Sequence, residues 1–205
     1  MLFQNKIVTF RNFDFIITEN VYEPAEDSFL FAENLIVNTE DKVLDMGTGC
    51  GILGILSAKQ SKDVIGIDIN PFAIYCAKKN AAENDVLDRI SFIQGDLFSP
   101  IVEKYRFDLI LFNAPYLPKN HTKSLSWIER AWTGGSDGRF VIDSFLENAK
   151  KFLSKRGRIL LLQSNLSNIE KTIFYLIQKN LKAKIIAEQK LPFFEKIVLI
   201  EATYN

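Results

Sequence analysis

The chain has 205 residues, 47% of them hydrophobic and 24% charged. This length is sufficient for one domain with a full hydrophobic core but too short for two domains of ordinary size. Its 25 basic and 25 acidic residues balance, which argues against bulk electrostatic attraction to nucleic acid or to an anionic membrane. No stretch approaches the roughly 18 apolar residues of a spanning helix, and Cys50, Cys76 and the single His121 do not make a zinc site. We therefore expect a cytoplasmic protein with reduced thiols, no metal site and no membrane contact.

The first twenty residues are predicted to form an N-terminal arm or a small hairpin, because residues 6–18 contain two β-rich runs. A helix is predicted to begin just after Pro24, with the polar residues 26–28 in its first turn and an apolar pattern of helical spacing that continues to Leu35 and Ile36. These polar side chains either cap the helix or face a ligand, and the residues alone leave both interpretations open.

The chain is organised around a glycine-rich turn that follows an apolar run at residues 43–46 and precedes a helical stretch at residues 52–59. Such a turn brings backbone N–H groups and a helix N-terminus to a ligand above the strand end. The spacing G-x-G-x-x-G from Gly49 matches the dinucleotide fingerprint, so a nicotinamide or flavin ligand stays open. Asp45 precedes the glycines, where a carboxylate opposes a diphosphate but stabilises a cation with ammonium and sulfonium groups. The turn therefore favours S-adenosylmethionine, with a turn that binds nothing as the remaining alternative.

Two further predicted strands also end in a carboxylate. The strand at residues 63–69 carries Asp68 about 20 residues past the glycines, where an acidic residue accepts the ribose hydroxyls of an adenosine. The strand at residues 90–97 ends in Asp96 and Leu97, which can bind the adenine amine and pack against its ring. Because successive parallel strands end at one edge of a sheet, these side chains predict a ligand crevice there.

The chemistry is expected after the strand at residues 107–112, which is followed by Asn113, Ala114, Pro115 and Tyr116. The Asn113 side-chain oxygen and the Ala114 backbone oxygen can accept both N–H bonds of an amide or aromatic amine, while Tyr116 covers its flat face. The rate gain would come from orientation and from stabilising the N–H groups as positive charge develops, without a strong base. The structural alternative is a proline turn closed by the asparagine side chain.

Residues 117–139 have no clear periodicity but contain two tryptophans, which predicts an ordered loop that forms a wall of the substrate site. His121 in this loop is expected to be solvated rather than catalytic. The short connection before the last strand permits antiparallel pairing and excludes a parallel crossover. The elements predicted after the loop are a helix at residues 140–153 capped by Ser136 or Asp137, a strand at 158–163, a helix at 168–179, and strands at 183–189 and 196–202.

As a set, these residues resemble the class I S-adenosylmethionine-dependent methyltransferases. Asn113-Ala114-Pro115-Tyr116 resembles the Asn-Pro-Pro-Tyr motif of enzymes that methylate planar nitrogens. The segments at residues 21–30 and 131–139 resemble the eukaryotic and archaeal branch of the HemK-like protein glutamine methyltransferases, which modify the Gly-Gly-Gln loop of class I release factors. The resemblance implies an α/β, Rossmann-like fold whose seven-stranded, mostly parallel sheet has helices on both faces and an antiparallel last strand.

The resemblance also implies a single methyltransferase domain over residues 21–205 and a release factor as substrate, with a small zinc-binding activator subunit as heterodimer partner. Ala114 departs from the family motif: its backbone carbonyl is kept, but the loop loses the restriction that a proline imposes. The site residues carried over are Asn113, Ala114, Pro115 and Tyr116 for catalysis, and Tyr22, Ser28, Asp45, Gly47, Gly49, Asp68, Ile69, Asp96, Leu97 and Asn113 for the cofactor.

Two other functions stay open on the sequence. An N6-adenine or other base-amine methyltransferase on RNA or DNA can use the same acceptor geometry, although the zero net charge and the absence of an obvious nucleic-acid module weigh against it. A cofactor-binding scaffold subunit without catalysis is the alternative from another class.

Overall fold

A computed structural model describes residues 6–119 and 125–204, which form a mostly parallel sheet with helices packed around it. The strands are β1 (Lys6–Phe10), β2 (Phe13–Ile17), β3 (Lys42–Met46), β4 (Asp63–Asp68), β5 (Ile90–Gln94), β6 (Phe107–Asn113), β7 (Leu153–Ser164), β8 (Leu181–Lys190) and β9 (Lys196–Tyr204). The helices are α1 (Glu26–Glu33), α2 (Ile52–Ala58), α3 (Pro71–Glu83), α4 (Trp127–Trp132), α5 (Phe140–Phe152) and α6 (Ile169–Gln178).

The main sheet has seven strands in the order β5-β4-β3-β6-β7-β9-β8. Within this sheet β9 pairs antiparallel with β7 on one side and with β8 on the other, and the other described pairings are parallel. The predicted fold, a Rossmann-like sheet with an antiparallel last strand, is confirmed.

The order of the strands creates a crevice between β3 and β6. The chain moves outward from β3 through β4 to β5 and then returns to the other side of β3, so the strand order reverses at this point. Ligands of open α/β sheets bind at such a switch point, beyond the carboxyl ends of the strands. Met46 pairs with Phe112, so the chain leaves both strands at the same level, into Gly47 on one side and Asn113 on the other.

Both faces of the central strands are covered, which explains their continuous apolar sequence. Leu109, Ile110, Leu111 and Phe112 of β6 are all buried. Phenylalanines fill the space between the sheet and α5, and the ring centroids of Phe112 and Phe145 lie 4.5 Å apart. This packing fixes the end of β6 and therefore the residues that follow it.

The two β-rich runs at the N-terminus form an antiparallel hairpin of β1 and β2. Its inner face is part of the core, since Phe15 is fully buried. Asn80 of α3 bonds both backbone groups of Ile16, accepting its N–H at 2.8 Å and donating to its carbonyl oxygen at 3.0 Å. A domain boundary at residue 20 stays a prediction.

The N-cap of α1, Ala25, makes no side-chain capping bond. Two predicted details of the helices are wrong. α1 ends at Glu33, so the apolar Leu35 and Ile36 lie beyond it. The N-cap of α5 is Arg139, also without a side-chain cap, so neither Ser136 nor Asp137 caps this helix. Within the described ranges, no helix has the length and apolar character needed to cross a membrane.

Candidate functional site

A cavity of about 1430 Å³ opens at the carboxyl ends of the parallel strands. Asp45 within β3, Asp68 at the end of β4, Asp96 after β5 and the loop after β6 line the same space. The structure brings together every residue that the sequence predicts for the site, namely Tyr22, Ser28, Asp45, Gly47, Gly49, Asp68, Ile69, Asp96, Leu97, Asn113, Ala114, Pro115 and Tyr116.

The floor of the cavity is the glycine turn between β3 and α2. Gly47, Gly49 and Gly51 all have positive φ angles, of 67°, 56° and 92°, which only glycine adopts without strain. The Gly49 N–H donates to Asp68 Oδ2 at 2.9 Å, so the end of β4 holds the turn in place. The turn therefore exposes its backbone to a ligand while one predicted ligand-binding carboxylate fixes its shape.

Asp45 lies under this turn and is almost completely buried. Its Oδ2 accepts hydrogen bonds from the Thr48 hydroxyl at 2.6 Å and from the Gly54 N–H at 2.9 Å. A Cβ at Gly54 would lie 2.9 Å from the same oxygen, so this approach requires glycine. Burial raises the pKa of Asp45 to about 7, although the two hydrogen bonds oppose the shift. A cation above the turn would favour the ionised carboxylate.

The second carboxylate, Asp68, accepts backbone N–H groups on both oxygens, from Gly49 on Oδ2 and from Asn70 on Oδ1, each at 2.9 Å. Asn70 rather than Asp68 caps α3, because its side chain accepts the Phe72 N–H. A carboxylate oxygen can accept more than one hydrogen bond, so Asp68 keeps capacity for hydroxyls of a ligand. Burial raises the pKa of Asp68.

Asp96 and Leu97 follow β5 and line the same cavity. Leu97 has a φ angle of 45°, a left-handed conformation that is unusual for a leucine. Strained backbone of this kind is found at ligand sites, where the surrounding structure holds it.

The two ends of the Asn113 side-chain amide differ in their hydrogen bonding. Its Nδ2 donates to Asp27 Oδ2 at 3.2 Å and to Ser28 Oγ at 3.3 Å. Its Oδ1 is buried and accepts no hydrogen bond from any described residue. Because a carboxylate only accepts hydrogen bonds, Asp27 determines which end of the amide faces it. Among the described residues this oxygen therefore keeps its capacity to accept an N–H from a ligand.

Asp27 connects several of the predicted site residues, a role that the sequence left open between capping and ligand contact. It accepts the Ser28 N–H at 2.6 Å and the Tyr22 hydroxyl at 3.3 Å, besides the Asn113 amide. Burial, and then the charge of Asp27, raise the pKa of Tyr22, so this hydroxyl stays a donor. The first turn of α1 thus holds the end of β6, while Asp27 also satisfies one free N–H of its own helix.

The loop after β6 is fastened by its backbone. The Ala114 N–H donates to the Leu162 carbonyl oxygen of β7 at 3.3 Å. A proline at this position has no N–H and could not form this bond. The departure from the Asn-Pro-Pro-Tyr motif therefore exchanges the rigidity of a ring for a hydrogen bond to the neighbouring strand.

Two glycines in residues 131–139 lie in close contact with the backbone of this loop. A Cβ at Gly134 would lie 2.7 Å from the Pro115 carbonyl oxygen, and a Cβ at Gly138 would overlap the Tyr116 carbonyl oxygen. Leu117 extends the contact, because its N–H donates to the Trp132 carbonyl oxygen at 2.9 Å. Residues 131–139 are thus packed against the loop that carries the motif similar to Asn-Pro-Pro-Tyr.

One wall of the cavity is the short helix α4, which the sequence analysis missed. Its signal was a capping box, in which the Ser126 hydroxyl accepts the Glu129 N–H and the Glu129 carboxylate accepts the Ser126 N–H. Lys119 pairs with Glu129 at 2.7 Å and stands over the Trp132 ring, 4.8 Å from its centroid. The lysine hydrogen bond lowers the pKa of Glu129 to about 2. The prediction for His121 lies outside the described residues.

Comparison with known proteins identifies the family. The model of the methyltransferase small domain matches residues 24–191. A candidate protein N5-glutamine methyltransferase of Methanocaldococcus jannaschii is 42% identical over 181 residues, which are 87% of this chain and 90% of that one. The chain belongs to the HemK-like methyltransferases. Methyltransferase HEMK2 of Mus musculus is 34% identical over 167 residues, 74% of this methyltransferase and 75% of that protein.

Solved structures share the fold of this methyltransferase. The Mtq2–Trm112 complex of E. cuniculi, responsible for methylation of the termination factor eRF1, matches with a TM-score of 0.70 and 22% identity, over 91% of this chain and 99% of that chain. TYW2 of M. jannaschii, solved with AdoMet, matches with a TM-score of 0.65 and 20% identity, over 97% of this chain and 84% of that chain. At these identities the matches concern the fold alone.

Proposed function

We propose that this methyltransferase uses S-adenosylmethionine to methylate the side-chain amide nitrogen of a protein glutamine, in the Gly-Gly-Gln loop of a class I release factor. The observation that carries the proposal is the buried Oδ1 of Asn113 at the end of β6, which accepts no hydrogen bond from residues 6–119 and 125–204. The names of the related proteins supply the substrate class, since they include N5-glutamine and release factor glutamine methyltransferases. Release factors act in translation, so the reaction would take place in the cytoplasm.

The charge of the cavity suits the proposed cofactor. Asp45, Asp68 and Asp96 lie around the glycine turn, where a cationic ligand is stabilised and a diphosphate is opposed. In this assignment Asp68 accepts the ribose hydroxyls, while Asp96 and Leu97 contact the adenine. The other predicted contacts are Tyr22, Ser28, Gly47, Gly49, Ile69 and Asn113. Bound S-adenosylmethionine would supply an electrophilic methyl group.

The chain's own contribution is to orient the nitrogen. An amide nitrogen is a poor nucleophile because its lone pair is delocalised into the carbonyl group. Asn113 Oδ1 and the Ala114 carbonyl oxygen would accept its two N–H bonds, which directs the lone pair out of the amide plane. Positive charge that develops on the nitrogen strengthens both hydrogen bonds, so the acceptors stabilise the transition state more than the bound substrate. The nitrogen then loses one proton to water.

Asp27 is a positioning residue in this scheme. It holds Asn113 Nδ2, so the asparagine cannot rotate its amide and present a donor to the substrate. Tyr116 and Pro115 would cover the flat face of the glutamine amide. No titratable base is required, which agrees with the raised pKa values of Tyr22 and Tyr116.

A base amine of RNA or DNA could present the same two N–H bonds, and the fold is shared with tRNA methyltransferases such as the m1G37 enzyme of M. jannaschii. The balanced charge of the chain gives no electrostatic support for nucleic acid, and the closer sequence matches act on glutamine by name. We therefore favour the protein substrate. A small activator subunit is part of the proposal because the Mtq2 structure is a complex with Trm112. The proposed subunit would bind zinc.

Mass spectrometry of a class I release factor tests the proposal. The purified chain is incubated with labelled S-adenosylmethionine and the release factor, alone and with a small activator subunit of the Trm112 type. We expect one methyl group on the glutamine of the Gly-Gly-Gln loop and none on an equal amount of RNA. Transfer to RNA but not to the release factor would contradict the substrate assignment.

The Asn113→Ala variant tests the catalytic residue. We expect kcat to fall by about 100-fold or more, since one preorganised transition-state contact is worth roughly 3 kcal/mol. Binding of S-adenosylmethionine, measured by calorimetry, should change little. Asn148→Ala on α5 is the matched control and should keep full turnover. Substantial turnover in Asn113→Ala would rule out the catalytic role of this residue.

A further inference from the structure

The connection between β8 and β9 exposes two adjacent phenylalanines. Phe193 and Phe194 are 97% and 99% exposed, and their φ angles are 58° and 63°. Bulky side chains are rare in this left-handed region, and here the conformation buries neither ring. The pair therefore adds nothing to the core, while the exposed apolar area is of the kind that marks an interaction site.

This hairpin tip, residues 191–195, is held in place by specific hydrogen bonds. Asn165, just after β7, accepts the Lys196 N–H on Oδ1 at 2.8 Å and donates to the Phe194 carbonyl oxygen from Nδ2 at 3.3 Å. The Leu191 N–H closes the turn on the Glu195 carbonyl oxygen at 2.9 Å. The Asn165 side chain thus fixes both sides of the tip, and the two exposed rings belong to a turn of defined conformation.

The hairpin tip stands on the same edge of the sheet as the candidate active site. β9 runs antiparallel to β7, so it begins where β6 and β7 end: Asn113 pairs with Leu162, and Ile197 pairs with Ser164 two residues further along. Strand spacing and rise place the tip roughly 15–20 Å from Asn113. Glu195 in the tip also acts electrostatically on Tyr116, in the loop after β6. The pKa of Tyr116 is raised by burial first, and by the charges of Asp27 and Glu195 as well.

We propose that Phe193 and Phe194 dock the protein that carries the glutamine substrate, on an apolar surface beside that glutamine. The inference rests on the proposed function and specifies how its substrate is recognised. A standard interface covers about 800 Å² on each partner, a patch roughly 30 Å across. One such patch is wide enough to include both Asn113 and the hairpin tip, so a folded protein that inserts a glutamine at Asn113 can also contact the two rings. Leu166, which follows Asn165 in the chain, is a further exposed apolar side chain at 47%.

The test compares a folded substrate with one that is too short to reach the tip. The double variant Phe193→Asn, Phe194→Asn removes both rings and keeps residues that tolerate the left-handed conformation, so its Tm should be no lower than that of the unaltered chain. Steady-state kinetics are measured with the whole release factor and with a short peptide that contains its Gly-Gly-Gln sequence. We expect the ratio of kcat/KM for protein over peptide to fall at least tenfold, through KM for the protein.

The matched control is Ile177→Ser near the end of α6, which removes a 54% exposed apolar side chain on another surface and should keep the ratio. An unchanged ratio in the double variant would overturn the docking role while the activity itself stands. A change in oligomeric state or in activator binding, with KM for the protein unaltered, would assign the tip to another partner and also overturn it. Failure of the unaltered chain to methylate either substrate contradicts the proposed function, and the docking role with it.

Discussion

At the scale of single residues, Asp45 shows how the cavity combines burial with charge. The pKa of Asp45 is about 7 in the folded chain, above its ordinary value of 3.8, because burial disfavours the ionised form. The folded state therefore binds more protons than the unfolded state between these values, and stability falls as pH rises from about 4 to about 7. A shift of this size corresponds to a cost on the order of 4 kcal/mol at neutral pH. A bound cation offsets part of it.

This electrostatic linkage predicts a pH dependence of cofactor binding. If S-adenosylmethionine requires ionised Asp45, its dissociation constant should rise about tenfold between pH 8 and pH 6, because the ionised fraction falls from about nine tenths to about one tenth. Calorimetry at several pH values measures this. Asp45→Asn should bind more weakly and lose most of the dependence, which separates Asp45 from nearby Asp68. An identical pH profile in the variant would show that another group titrates.

At the scale of elements, the sequence predicted the parts of the site that depend on local order along the chain. The apolar run at residues 109–112 of β6 is followed directly by Asn113, so this residue could be placed from sequence spacing. The helix α4 was missed because it has six residues and none of them is buried, which leaves no apolar periodicity. The role of Asp27 could not be read from the sequence, because its partner Asn113 lies 86 positions away.

The packing of residues 131–139 against the loop after β6 leads to a prediction for Gly138. In Gly138→Ala the new Cβ would overlap the Tyr116 carbonyl oxygen, and the φ angle of 73° adds strain. We expect a loss of about 3 kcal/mol in the free energy of unfolding, measured by urea denaturation, and a fall in kcat as the loop shifts.

Gly135→Ala separates the two causes. Gly135 has a φ angle of 85°, and a Cβ added there would meet only the Phe140 Cβ, at 3.1 Å, and no atom of the loop after β6. This variant should lose about 1–2 kcal/mol from backbone strain and keep most of its kcat. Equal losses of kcat in both variants would mean that the contact with Tyr116 does not position the loop.

At the scale of the whole molecule, the N-terminal hairpin is connected to the glycine turn between β3 and α2 through the buried side chain of Asn80. Asn80 of α3 is fully buried and bonds both backbone groups of Ile16 in β2. Its Nδ2 also donates to the Cys50 carbonyl oxygen, inside the glycine turn, at 2.9 Å. The hairpin lies outside the part of the chain that matches the family model, yet it contributes to the geometry of the turn.

Asn80→Ala should therefore affect both stability and ligand binding. The substitution leaves the N–H and carbonyl of Ile16 and the carbonyl of Cys50 without this partner, which we expect to cost about 3 kcal/mol of unfolding free energy. Because the Cys50 carbonyl is released, the dissociation constant of S-adenosylmethionine should rise severalfold. The control is Asn84→Ala, which removes an exposed bond to the Asp14 carbonyl on the same hairpin and should cost no more than about 1 kcal/mol without weakening binding. If Asn80→Ala destabilises the chain but leaves binding unchanged, the hairpin stabilises the fold alone and the turn keeps its shape without it.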